Sequence, residues 1–532
     1  MAFTTVPGAS ASDATSYVGT SGIDSLTLSA GAASNVFVGS QQANDTITLQ
    51  GAVERTTHTI KGGQGNDVVS FGGGTLTTSF LNGNKDTDAF GSAADLGTLS
   101  TTTLQGGQGT DSIFIGSATD SIINGNKQAD TITLATSLSG SELRGGADND
   151  TISIGNASVT NSLVHGDLGN DAITIAINAS ADRVYTNSTT NGGAGTDTIT
   201  AANSTASLLL AGGDDADTVS GSTNSDTING GTGNDSIQGN AGPDQLSGGV
   251  GDDSFAYVAT ADLFNGNALV DVLDGATGTD SIAINNNGAA TFTIAAADSW
   301  ATRNTGIERI NAYTASNQII SVTLNNNAFE AGLRTVDLSA DTTVAGNNII
   351  TVAAETGANG YSLAGGAGVD GITGGGAAGT DSLDGGLGND TLTVGAGNDI
   401  ITQEAGDSTI ATATFTNLGG GATLTNANSV ITFANGVDVI NDFAGTADDL
   451  DFDTAGGTVL AGGGNVATAV AGNYLIRGIA NGGRTNFTVN GGGADMLFVS
   501  STATDMSNVA NTGTSSIILV GAGAAMVVGD IV

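Results

Sequence analysis

Gly230-Gly231-Thr232-Gly233-Asn234-Asp235-Ser236-Ile237 is followed eighteen residues on by Gly248-Gly249-Val250-Gly251-Asp252-Asp253-Ser254-Phe255. In each stretch two glycines, a third glycine and an aspartate precede an apolar residue two places further on. The glycines permit positive φ in a tight turn without a Cβ penalty. The turn carbonyls and the aspartate offer the hard oxygen ligands that calcium prefers, and the apolar residue points into a core. Five aspartates, Asp217, Asp226, Asp235, Asp244 and Asp253, fall nine residues apart through this block. A nine-residue half-turn builds a parallel β-roll, so two of them make one coil. Asp235 and Asp253 then stack on one edge, and Asp226 and Asp244 on the other. Coils lie roughly 4.8 Å apart. Carboxylates stacked at that spacing repel unless a divalent cation between successive turns accepts oxygens from both, which makes the metal part of the fold.

The pattern extends beyond this block. Unbroken G-G-x-G-x-D also ends at Asp67, Asp111, Asp197, Asp370 and Asp390, and degraded copies end at Asp24, Asp150, Asp171, Asp217, Asp244, Asp280, Asp381 and Asp399. In the amino-terminal half the motif aspartates Asp111, Asp130, Asp150, Asp171 and Asp197 are spaced by about a whole coil. This reading expects one metal-capable edge and one irregular edge there, with a polar turn around Thr119 and Asp120, and less calcium per coil than at 217–253. The turns at Asp130 and Asp226 are imperfect and weaker as ligands.

These residues resemble the RTX family of secreted bacterial proteins, whose signature is G-G-x-G-x-D-x-U-x with U a large apolar residue. The resemblance implies an all-β fold, a parallel β-roll or β-solenoid with calcium-binding turns and a carboxy-terminal β cap. It implies several calcium ions, with Asp67, Asp111, Asp150, Asp171, Asp197, Asp217, Asp226, Asp235, Asp244, Asp253, Asp370, Asp381, Asp390 and Asp399 as ligand positions. The chain divides into a solenoid with degenerate turns over 1–216, a regular nonapeptide block over 217–254, a less regular β-region over 255–363, a second block over 364–400 and a cap over 401–532. Residues 255–363 read as either a continuation of the solenoid or a compact insert. Within them Trp300, Tyr313 and Tyr361 are either core or sugar-stacking rings.

Composition supports order and limits the partners. Of 52 acidic residues 46 are aspartate, whereas a merely solvated acidic face would use both acids. A net charge of −41 argues against nucleic acid or an anionic membrane as partner, and the strand-like alternation of Ile132 with Leu134 and Ile152 with Ile154 argues against disorder. No stretch approaches the apolar length of a membrane span. The chain has no cysteine, so the reading gives metal the stapling role of disulfides. Met1 to Ser16 lacks the basic start and apolar run of a Sec signal. The resemblance instead implies export by the type I machinery through an uncleaved carboxy-terminal signal. Asp438-Val439-Ile440-Asn441-Asp442-Phe443 looks like the segment that follows RTX repeats, and Ser515 through Val532 resembles the terminal signal as well as a final hairpin.

His58 and His165 have no zinc-site or nucleophile-elbow context, and the repeats begin at Gly22-Ile23-Asp24, so the reading is non-enzymatic. The expected function is a secreted, calcium-binding structural protein that self-assembles at the cell surface as an S-layer or extracellular filament. The alternative is a non-enzymatic adhesin or soluble calcium-binding exoprotein, with a secreted hydrolase more remote. Expected partners are further copies of the chain, the type I secretion machinery and cell-surface polysaccharide.

Overall fold

The computed structural model describes residues 4–7, 15–28, 35–177 and 183–285, most of 291–402, and beyond that the backbone of strands between Thr409 and Leu519. It is an all-β parallel solenoid organised as two compact units, residues 1–256 with 270–280, and residues 257–269 with 281–532.

In the first unit the coils stack their strands into two sheets, and several coils place two strands in the second, as Thr151–Ile154 and Ser158–Thr160 do. On one face Phe80–Lys85, Thr103–Gln108, Ile122–Lys127 and Glu142–Ala147 stack in parallel. On the other face Ser112–Thr119, Thr131–Ser139 and Thr151–Ile154 do the same. Parallel in-register pairing places like residue on like. Leu81, Leu104, Ile123, Leu143 and Val164 form one buried column, and Ile113, Ile132, Ile152 and Ile173 form the one facing it. Side chains alternate across a strand, so the positions between these columns, mostly threonine, serine and asparagine, face outward. A polar residue enters the first column at Thr190, where the Tyr185 hydroxyl lies 2.7 Å from the Thr190 hydroxyl and closes both groups inside the core.

The second unit repeats this construction over the less regular region. Phe292–Ile294, Ile320–Leu324, Ile349–Val352, Gly371–Thr373 and Thr391–Val394 stack in parallel. Arg309–Ala312, Thr335–Asp337, Ser362–Ala364, Ser382–Asp384 and Ile400–Thr402 form a second stack. Within residues 255–363 these pairs are parallel and in register. Two short helices interrupt them, Thr260–Leu263 and Asn326–Glu330, the latter capped by the Asn325 side chain accepting from Ala328 N–H at 3.0 Å. Trp300 is fully buried, edge-on to Phe264 with centroids 5.1 Å apart, and Tyr361 is buried edge-on to Phe329. Neither ring is available to stack on a sugar; of the three aromatic candidates only Tyr313 is exposed. Farther on, Asp438–Asn441 pairs in parallel with Ile400–Thr402, and Thr514–Leu519 runs antiparallel to Asp495–Ser501.

Each coil contacts mainly its two neighbours, so damage is local and propagates along the stack. Ile132 sits in the middle of its column with no exposed surface. Ile132→Ala is expected to cost about 2–5 kcal/mol, read as a lowered denaturant midpoint of the calcium-loaded protein. An unchanged midpoint contradicts the column as described.

Candidate metal centre

The turn that joins the two sheets decides the site. In Gly230-Gly231-Thr232-Gly233-Asn234-Asp235, Gly231 and Gly233 have φ of +118° and +127°, a region that L side chains rarely enter. The turn ends at the aspartate, which clamps the neighbouring coil in both directions. Asp235 N–H donates to Asp253 Oδ1 at 2.8 Å, and Asp235 C=O accepts from Ser254 N–H at 2.8 Å.

This arrangement repeats without a break through the first unit. Asp24, Asp45, Asp67, Asp88, Asp111, Asp130, Asp150, Asp171, Asp197, Asp217, Asp235, Asp253 and Asp280 form a single ladder. Each N–H donates to Oδ1 of the next at 2.7–2.8 Å. On the opposite edge Leu208 N–H donates to Asp226, Asp226 to Asp244 and Asp244 to Asp271. In the second unit Asn348 N–H donates to Asp370 and Asp370 to Asp390, while Asp381 accepts from Tyr361 and Gly375 N–H. Asp399 lies outside the described residues.

One oxygen of each rung is thus used between coils. The other, Oδ2 of Asp67, Asp88, Asp111, Asp130, Asp150, Asp171, Asp197, Asp217 and Asp235, is buried and accepts no hydrogen bond. It faces the first glycine of its own turn. A Cβ on Gly62 would lie 2.6 Å from Asp67 Oδ2 and 2.6 Å from Gly83 C=O, so carboxylate and carbonyl oxygens of successive coils converge on that cradle. The same convergence recurs at Gly106, Gly145, Gly192, Gly212 and Gly230. Burial raises the carboxyl pKa values above their usual 3.8, to about 6 for Asp111, to about 7 for Asp67, Asp130, Asp197, Asp217 and Asp253, and to about 8 for Asp88 and Asp150. Burial also raises Asp45, Asp171, Asp226, Asp235, Asp370 and Asp381.

Buried carboxylate oxygens lacking donors, set beside backbone carbonyls, fit a hard, oxygen-preferring cation. Among the described residues no three His, Cys, Asp or Glu side chains gather as a metal cluster, and the oxygens that could meet a cation are single carboxylates with backbone carbonyls beside them. Calcium held there would supply the positive charge that the ladder lacks.

The ladder includes turns that the motif alone passes over. Asn84 and Asp86, Asn126 and Gln128, Asp148, Asp167 and Asp215 have φ between +68° and +80° where intact copies have glycine. Asparagine and aspartate tolerate this region better than other residues, so the turn outlives the motif. Asp88 was missed for this reason, and Asp45 because its turn has Ser40 and Gln41 in place of the glycine pair and Ala43 at +68°, although an apolar residue two places on, Ile47 or Phe90, marks both. Asp130, read as imperfect, sits in the ladder on the same terms as its neighbours.

The edge expected to be irregular is instead a second regular ladder, of hydroxyls. His58 N–H donates to Ser79 Oγ, and the series continues through Thr102, Ser121, Ser141, Ser162 and Ser188 at 3.0–3.2 Å. Each hydroxyl in turn donates to the carbonyl two residues before it at 2.7–2.9 Å. The residue between them always has positive φ, from Thr57 at +57° to Asn187 at +49°. A hydroxyl both accepts and donates, so this edge closes without charge. Ser/Thr-x-Ser/Thr before each strand was its signal.

Stacked coils joined by a buried carboxylate ladder define a parallel β-roll. The family described as the RTX calcium-binding nonapeptide repeat matches the chain in four copies, at residues 59–75, 209–228, 220–255 and 375–410. Those four stretches carry RTX calcium-binding repeats, and the β-roll around them is the fold such repeats build. No curated protein matches the chain.

Two outcomes test the site. Gly230→Ala forces a Cβ against Asp235 Oδ2 and Gly248 C=O, whereas Gly371 has nothing within 4 Å of that position. Gly230→Ala is expected to raise the calcium midpoint for folding and lower the number of ions bound in equilibrium dialysis, and Gly371→Ala to leave both unchanged. The second outcome concerns pH. A carboxyl whose pKa is raised by folding stabilises the fold below its unfolded value and withdraws that stabilisation as pH rises through the folded value. Chelated protein is therefore expected to gain β-structure in circular dichroism as pH falls from about 8 to about 4, and calcium to abolish the dependence above about pH 7. A metal-free fold insensitive to pH across that window contradicts the buried ladder.

Proposed function

We propose that the protein is an exported, non-enzymatic structural protein whose calcium-ordered roll assembles with further copies of itself at the cell surface, as an S-layer or filament. The observation that carries this reading is the ladder, which commits coil after coil to stacking. Stacked parallel strands leave unpaired backbone groups at the terminal coils, and a second copy satisfies them by a head-to-tail contact that stays open-ended. The groups that acid–base chemistry would use have structural partners instead. His58 is buried with Nδ1 against Thr56 C=O at 2.9 Å, and His165 Nδ1 accepts from Asp167 N–H at 2.8 Å.

Export by the type I machinery through an uncleaved carboxy-terminal signal is part of the proposal. It is supported by the RTX repeats and by the apolar segment Ser515 to Gly521. Weak repetitive sites fill outside the cell, where calcium reaches about 10⁻³ M, so folding and assembly would follow export. Cell-surface polysaccharide is the proposed anchor.

A calcium titration from chelator to about 10 mM, read by circular dichroism and light scattering on one sample, tests the reading. The expected result is β-structure at low calcium, followed by growth of large particles that form ordered arrays in electron microscopy. Folding without growth at any calcium concentration overturns the assembly reading in favour of a soluble exoprotein or adhesin.

A further inference from the structure

Among all residues of this strongly acidic chain there are only three lysines, Lys61, Lys85 and Lys127. All three lie on the outer face of one sheet of the first unit, within four successive strands. In register, Lys61, Asn82, Gln105, Asn124 and Arg144 form one outward file. Lys85, Gln108 and Lys127 form a parallel file three residues along each strand. Between them runs the line of Gly63, Asn84, Gly107 and Asn126, where the backbone takes positive φ. The strip between them is the floor of a trough of about 390 Å³ walled by Asn82, Gln105, Lys85, Gln108 and Lys127, and Lys61, Asn124 and Arg144 continue their file beyond it.

The walls have an ordered chemistry. Asn82 Nδ2 donates to Gln105 Oε1 at 2.8 Å, which aligns the side-chain amides along the coil axis. Arg144 is held by Glu142 and Asp167, at 3.1 and 2.8 Å, but none of the lysines forms an ion pair among the described residues. Lys85 and Lys127 are two coils apart, about 10 Å at the spacing of stacked strands. Amides that give and take hydrogen bonds, on a narrow glycine and asparagine floor, suit a chain of hydroxyls. Ammonium groups at the rim suit carboxylates repeated along that chain.

The geometry points to this trough as the docking site for an extended acidic polysaccharide, a polymer bearing uronate carboxylates, lying along the roll axis over the strands from Thr59–Gly63 to Glu142–Ala147. The overall negative charge does not forbid this. Charges farther away than about 10 Å are screened at 0.1 M salt, the ladder carboxylates are buried and would be met by calcium, and of the rim's own acids Asp86, exposed beside Lys85, accepts from Gly65 N–H and subtracts one charge from the three lysines. The inference gives the polysaccharide anchor of the proposed function a place and a charge. It does not depend on self-assembly.

The test uses the full chain in calcium at about 0.1 M salt, with fluorescent hyaluronan oligosaccharides as the acidic probe and dextran oligosaccharides as the neutral one. Hyaluronan is expected to bind and dextran not. Replacing the lysines together, as Lys61→Gln, Lys85→Gln and Lys127→Gln, is expected to weaken hyaluronan about tenfold or more and to flatten its salt dependence. The matching Lys→Arg triple is expected to keep binding, and calcium-driven folding of both to be unchanged in circular dichroism. Undiminished binding by the glutamine triple, equal binding of dextran, or equal competition by a DNA oligonucleotide overturns the inference. Loss of light-scattering growth in the glutamine triple with hyaluronan binding intact also overturns it, and assigns the face to a second copy of the chain.

Discussion

Everything in this protein follows from stacking one carboxylate on the next. In-register parallel coils give each aspartate a like neighbour at about 4.8 Å, and two unit charges at that distance repel by on the order of 3 kcal/mol at an effective dielectric of about 20. The backbone relieves part of this, because each Oδ1 accepts an N–H from the adjacent coil. Oδ2 is left buried without a donor, and the raised carboxyl pKa values are the measure of that deficit. A proton or a cation must supply the difference. Calcium would do more than a proton, since the carboxylate would stay ionised and the glycine-turn carbonyls beside it could serve as further oxygen ligands.

The roll itself was legible because two of its requirements leave few residue choices. Gly231 and Gly233 need positive φ, and Asp235 needs a short side chain that reaches the next coil. Where a position tolerates substitutes, the signal thins. At Asn126 and Gln128 the turn keeps its shape with no glycine at either place, so reading Asp130 as doubtful weighted identity over conformation. The hydroxyl ladder from Ser79 to Ser188 was hidden for another reason: serine and threonine are also the ordinary outward residues of these strands, and only burial separates Ser121 or Thr102 from the exposed ones. Trp300 and Tyr361 show the converse, since an aromatic in a chain poor in aromatics invites a binding role that its packing against Phe264 or Phe329 rules out.

The two kinds of edge make the metal requirement uneven along the first unit. From His58 to Ser188 a coil has carboxylates on one side and neutral hydroxyls on the other, so only one edge needs a cation. From Asp226 to Asp271 both edges are acidic, with Asp217, Asp235 and Asp253 facing away from Asp226 and Asp244 across coils of eighteen residues. Shorter coils bury less apolar surface each, and hydrophobic stabilisation scales with that surface. The regular nonapeptide block therefore combines a small core per coil with two ladder carboxylates per coil instead of one. In a stack where each coil is stabilised chiefly by its neighbours, such a block is where order depends most on calcium and where, without it, the stack is weakest. The hydroxyl-edged coils, with longer strands such as Thr131–Ser139 and one ladder carboxylate each in place of two, form the part of the roll best able to hold its register without metal.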